Sequence, residues 1–197
     1  MVEQIRKLEE LIKHDPLNLV NYFNLGNIYI KSKKYNLALK IFKKNIDIDK
    51  NFVQGYNNLA NIYKELKNTK EAIKFFKQAI KVDPNYINAI YNLAIVYSEI
   101  DYYEEAITCY KNILKINPNY IPALNNFGIL LKNINRYDEA LKYFEKIIII
   151  DGNFLRAYNN IGTIAFETGD IKKAICNYKK ALDLNPDNFV SYKYIFY

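Results

Sequence analysis

The sequence predicts an all-α solenoid, and three observations carry that reading. The stretch from Tyr56 to Tyr63 recurs with substitutions every 34 residues, at 22–29, 90–97, 124–131 and 158–165. Each period holds two apolar stripes with helical spacing, such as Tyr56, Leu59, Ala60 and Tyr63, then Ala72, Ile73, Phe76, Ala79 and Ile80. Two columns accept only small residues: Gly26, Ala60, Ala94, Gly128 and Gly162, and Ala38, Ala72, Ala106, Ala140 and Ala174. Helices that cross closely leave no room there for a larger side chain.

Taken in order, residues 1–18 form a half-repeat whose apolar positions Ile5, Leu8, Leu11 and Ile12 stop at Asp15 and Pro16, as in a second helix. Five repeats follow at 19–52, 53–86, 87–120, 121–154 and 155–188, and residues 189–197 start a sixth or form an uncapped end, in one continuous solenoid domain. An aromatic column, Phe42, Phe76, Tyr110, Phe144 and Tyr178, fills the space beside the small residues. Pro84, Pro118 and Pro186 end second helices. Lys50 and Asn45 break the pattern of the first repeat, so its junction with the second is expected to be the softest.

Composition excludes several functional classes. Half the residues are apolar and a quarter charged, which argues against disorder. The longest aliphatic run, Ile147 to Ile150, is too short to cross a bilayer, and the amino terminus lacks the apolar stretch of a secretory signal. Cys109 and Cys176 stand apart with no metal-ligand spacing, so a cytoplasmic location is expected. The single histidine, His14, has no nucleophile pattern around it, and no phosphate-loop or metalloprotease motif occurs; no enzyme activity and no cofactor are expected. Acidic pairs such as Glu104 with Glu105 read as helix starts. The net charge of +7 raises nucleic acid as a partner, but lysines such as Lys40, Lys74, Lys77 and Lys142 sit on the second helices and read as a solvated face.

Small at the eighth position, Ala at the twentieth, aromatic at the twenty-fourth and Pro at the thirty-second resembles the tetratricopeptide repeat, and the resemblance covers essentially the whole chain. It implies a right-handed superhelix of tandem helix-turn-helix units, with first helices lining an inner, concave groove and second helices forming the outer face. The missing Trp at the fourth position is a departure, filled by Tyr22, Tyr56, Ile90, Leu124 and Tyr158.

One column never varies: Asn24, Asn58, Asn92, Asn126 and Asn160, at position six of each repeat. At about 100° per residue this position lies about 200° from the core stripe, so its side chains are expected to point into the groove. An amide offers both a donor and an acceptor, suited to the backbone of an extended peptide. Similar ladders mark the repeat domain of O-linked N-acetylglucosamine transferases, which Asn58 to Ile62 resembles. Variable neighbours are expected to select side chains: Phe23, Asn57, Tyr91, Asn125 and Asn159 at position five; Asn27, Asn61, Ile95 and Ile129 at position nine; and Arg156 at position two. An incidental surface column is the competing reading. The basic clamp of repeats that grip heat-shock chaperone tails is absent, since Phe23 stands where it needs Lys. The expected function is a non-enzymatic scaffold binding a partner protein's extended peptide, with self-association through 189–197 as an additional partnership. The alternative is the substrate-recognition part of a larger enzyme such as a glycosyltransferase.

Overall fold

The computed structural model describes residues 2–188, and the expectations that fall on 189–197 lie outside the described residues. Among the described residues the chain is helical throughout, with no strand: α1 Val2–His14, α2 Leu19–Lys31, α3 Tyr35–Ile48, α4 Val53–Glu65, α5 Thr69–Val82, α6 Ile87–Glu99, α7 Tyr103–Ile116, α8 Ile121–Asn133, α9 Tyr137–Ile150, α10 Leu155–Glu167 and α11 Ile171–Leu184. Every first helix starts at the residue the 34-residue register assigns to it. The chain falls into two compact units, Met1–Tyr102 and Tyr103–Tyr197.

Two kinds of turn punctuate the helices, each with its own chemistry. Between the helices of a repeat, the residue at position fifteen adopts a left-handed conformation: Lys33, Lys67, Asp101 and Asn135 with φ of 56, 59, 62 and 61°, and Gly169 at 84°. The following amide then reaches back to the last turn, as from Lys34 N to Tyr29 O at 2.8 Å and from Arg136 N to Leu131 O at 2.8 Å. This is the Schellman closure, which satisfies carbonyls the helix end would otherwise orphan.

Between repeats, the residue at position thirty-one accepts a hydrogen bond from the amide two residues on. Asp49 Oδ1 takes it from Asn51 N at 2.8 Å, Asp83 Oδ1 from Asn85 N at 2.9 Å and Asp151 Oδ1 from Asn153 N at 3.0 Å. The Asp or Asn side chain therefore forms the turn. Lys50 and Gly152 need no proline beside it, because proline presets only the backbone angle of a turn already held by this bond.

In unit Met1–Tyr102, Leu25, Tyr29, Ala38, Phe42, Leu59 and Ile62 form a buried cluster against which Ile5, Leu8 and Ile12 of α1 pack. Burying a ring such as Phe42 contributes about 2 kcal/mol. Tyr29 Oη donates to Glu9 Oε1 at 3.2 Å and ties α2 to α1. In unit Tyr103–Tyr197, Phe127 stacks on Tyr110 at 5.6 Å and meets Tyr143 at 4.5 Å between ring centres.

At the glycines of position eight it is the ring at position twenty-four that leaves no room for a larger side chain. A Cβ built on Gly26 would stand 2.6 Å from Phe42 Cζ, one on Gly128 2.7 Å from Phe144 Cε1, and one on Gly162 2.8 Å from Tyr178 Cε1. Asn45 is the misfit: it is fully buried where the other repeats have Ala79, Ile113, Ile147 and Ala181, and its Oδ1 has no hydrogen-bond partner.

Candidate peptide-binding face

The first helices α2, α4 and α6 of unit Met1–Tyr102 carry Asn24, Asn58 and Asn92. Asn24 is exposed, while Asn58 and Asn92 are half-buried, because each leans on the preceding repeat. Asn58 Nδ2 donates to Asn27 Oδ1 at 3.2 Å, and Asn92 Nδ2 donates to Asn57 Oδ1 at 3.4 Å. Asn58 and Asn92 thus do two things: one amide hydrogen joins adjacent repeats, and the carbonyl oxygen points away from that bond.

Position five is a correction. As a variable neighbour of position six it is expected to select ligand side chains, but Asn57 is 7% exposed and Asn125 5%. Asn57 is occupied by Asn92, and Asn125 donates to Asn126 Oδ1 at 3.0 Å while its own Oδ1 is buried without a partner. Phe23 is likewise packed, edge-on to Phe42 at 6.1 Å and to Phe52 at 5.7 Å between ring centres. Position five faces the neighbouring first helix, and stacking the repeats covers it. Tyr91 and Asn159 are half-buried, and Asn159 Oδ1 accepts from Asn188 Nδ2 at 3.1 Å. Position nine stays accessible, with Asn27, Asn61, Ile95 and Ile129 all half-buried.

In unit Tyr103–Tyr197, Asn126 and Asn160 are half-buried and Arg156 is exposed. Asn160 Oδ1 accepts from Lys132 Nζ at 3.2 Å, and its Nδ2 donates to Arg156 O at 3.0 Å, so this amide is committed at both ends. Lys132 escaped the sequence reading. Its signal would have been a cation at position twelve, one turn beyond the variable column.

Among the described residues no group of three or more His, Cys, Asp or Glu could hold a metal ion, and no helix is long and apolar enough to cross a membrane. Of the second-helix lysines, Lys40, Lys74, Lys77 and Lys142 are exposed.

Family models described as Tetratricopeptide repeat match residues 20–52, 53–86, 87–120, 109–142 and 155–188. The chain belongs to the tetratricopeptide-repeat family. Its fold class is the all-α helical solenoid of such repeats, and the family makes the chain a protein-interaction scaffold of a typically non-catalytic kind. No curated protein matches the sequence.

Solved structures of tetratricopeptide-repeat proteins share the fold. YrrB, a TPR protein with an unusual peptide-binding site, is 23% identical over 94% of this chain and 96% of its own, with a TM-score of 0.77. MamA is 26% identical over 82% of this chain and 95% of its own, with a TM-score of 0.76. The pilF protein of Pseudomonas aeruginosa is 18% identical over 95% of this chain and 85% of its own, with a TM-score of 0.78.

Proposed function

We propose that this repeat protein binds an extended segment of a partner protein along the first-helix face of unit Met1–Tyr102, with Asn24, Asn58 and Asn92 meeting the ligand's backbone. The carrying observation is the direction of the amide bonds. Asn58 and Asn92 spend an Nδ2 hydrogen on Asn27 and Asn57, which holds their carbonyls in a fixed orientation at no cost to the ligand. A preset acceptor pairs with a backbone N–H whatever side chain the ligand carries at that point. Asn61 and Ile95 stand beside this row, one polar and one apolar, and select among ligands.

Magnitudes set the affinity. Each amide contact contributes about 0.5 to 1.5 kcal/mol, against association costs of about 4 to 15 kcal/mol. Apolar contacts at Ile95 therefore supply much of the binding, and dissociation constants on the order of micromolar are expected. Arg156, Asn126 and Ile129 offer a second, independent face in unit Tyr103–Tyr197, where the commitment of Asn160 to Lys132 and Arg156 leaves less free amide.

The test is selection of unstructured peptides from a display library on the purified chain, followed by titration of the enriched peptides against wild type and Asn24→Ala/Asn58→Ala. Enrichment of peptides whose affinity falls about tenfold or more in the variant supports the reading. Enriched peptides that bind both proteins equally would sink it.

A further inference from the structure

The helix α1 stands in the repeat register as a second helix. Pro16 falls in the column of Pro84, Pro118 and Pro186, and Gln4, Leu8 and Leu11 fall at positions twenty, twenty-four and twenty-seven. In the four repeats that lie within one unit these three positions are at most 2% exposed, from Ala38, Phe42 and Asn45 to Ala174, Tyr178 and Ala181, because each repeat's own first helix packs on its second. On α1 Gln4 is exposed, Leu8 is half-buried and Leu11 is 41% exposed. Among the described residues no first helix lies over them. What remains is an open groove of about 460 Å³ lined by Gln4, Lys7, Leu8 and Leu11 of α1 and by Asn24, Asn27, Ile28 and Lys31 of α2, so it shares Asn24 with the proposed peptide-binding row.

Residues 189–197 carry the complementary half of the register. Phe189 stands at position one, where the repeats have Leu19, Val53, Ile87, Ile121 and Leu155; Tyr192 stands at position four, with Tyr22, Tyr56 and Tyr158; and Ile195 stands at position seven, with Leu25, Leu59, Leu93, Phe127 and Ile161. Position eight is reversed in both halves. Within the repeats a Gly or Ala there faces an aromatic ring at position twenty-four, and at Gly26 not even a Cβ fits beside Phe42. Residues 189–197 instead place Phe196 at position eight, and α1 places Leu8, with no ring, at position twenty-four. Bulk rises at position eight and falls at position twenty-four, where Leu8 is an aliphatic side chain in place of a ring. A ring at position twenty-four leaves no space for Phe196, whereas Leu8 borders an open groove.

We infer that residues 189–197 of one copy dock as a first helix in the α1–α2 groove of a second copy, completing there the repeat to which α1 contributes the second helix. The contact is heterologous, so a docked pair keeps a free groove on one copy and a free segment on the other, and association continues head to tail. Tyr192, Ile195 and Phe196 are the anchors, and Leu8 and Leu11 are their floor.

Sedimentation of the 197-residue chain over concentrations on the order of 1 to 500 µM tests it. The wild type is expected to rise above the 23.3 kDa of one chain as concentration increases. Leu11→Lys, which blocks the groove, and Phe196→Lys, which blocks the segment, are each expected to keep single-chain mass with helical circular dichroism intact. Mixed one to one, they are expected to form pairs and stop there, since each supplies the half the other lacks. A wild type that keeps single-chain mass throughout, variants that associate as the wild type does, or a mixture that fails to pair would each overturn the inference.

Discussion

The ring of Phe42 lies so close over Gly26 that a methyl group at that residue would meet Phe42 Cζ at 2.6 Å. No Cβ built on another glycine of the chain meets a neighbour more closely. Gly26→Val is expected to destabilise by about 1 to 3 kcal/mol through overpacking. Adding Phe42→Leu, which frees the space, should recover part of that loss, so urea unfolding of the two single variants and the double should give a coupling energy rather than an additive sum. Additivity would mean that the pair does not share the space.

Asn45→Ala is expected to stabilise. The buried Oδ1 has no partner and Nδ2 reaches Leu19 O only at 3.5 Å, so the side chain is desolvated with little in return. Relief of about 1 kcal/mol follows, since alanine already occupies this column at Ala79 and Ala181. The readout is the midpoint of urea denaturation, and an unchanged or lower midpoint would show that Asn45 has a compensating partner in solution.

Lys33 and Lys67 hold left-handed backbone conformations at φ of 56 and 59°, where Gly169 stands in the fifth repeat. A Cβ in this region costs about 1 kcal/mol. Lys33→Gly and Lys67→Gly are each expected to raise the melting temperature, while Gly169→Lys should lower it.

The Tyr29 phenol is held above its ordinary pKa of 10.0, first by burial, then by the charge of Glu9, and then by its hydrogen bond to Glu9. A raised folded value means that the neutral phenol stabilises the fold fully below pH about 10, and that this contribution is lost as pH climbs through the folded value. Tyr29→Phe is expected to lower neutral-pH stability by about 1 kcal/mol and to flatten the alkaline fall in melting temperature relative to wild type. An unchanged alkaline profile would assign that fall to other tyrosines.

Asn24→Ala and Asn92→Ala separate ligand contact from support. Asn24 is exposed, so its loss is expected to weaken peptide binding with no change in melting. Asn92 also donates to Asn57, so its loss should cost binding and about 1 kcal/mol of stability. Equal melting curves for the two variants would remove the inter-repeat role.

The first-helix face shows how far a helical wheel reaches. Counting residues places Asn24 on the surface, yet Asn57 and Asn125, expected beside it as selectors of ligand side chains, are buried. A wheel describes one helix. It contains no neighbour, and position five is the side on which the next first helix lies.

The sequence by itself determined the period, the small and aromatic columns and the proline ends of second helices. Each of these follows from local backbone preference or from a repeated size constraint that leaves its mark in every copy. Only the tertiary structure decided that Asn58 and Asn92 clasp the preceding repeat, that Lys132 commits Asn160, and that Asn45 is buried with an orphaned oxygen. These depend on which amide meets which neighbour across distances of about 3 Å. A column of identical asparagines carries no record of that choice, because the same residue type serves equally as clasp, ligand contact or buried misfit.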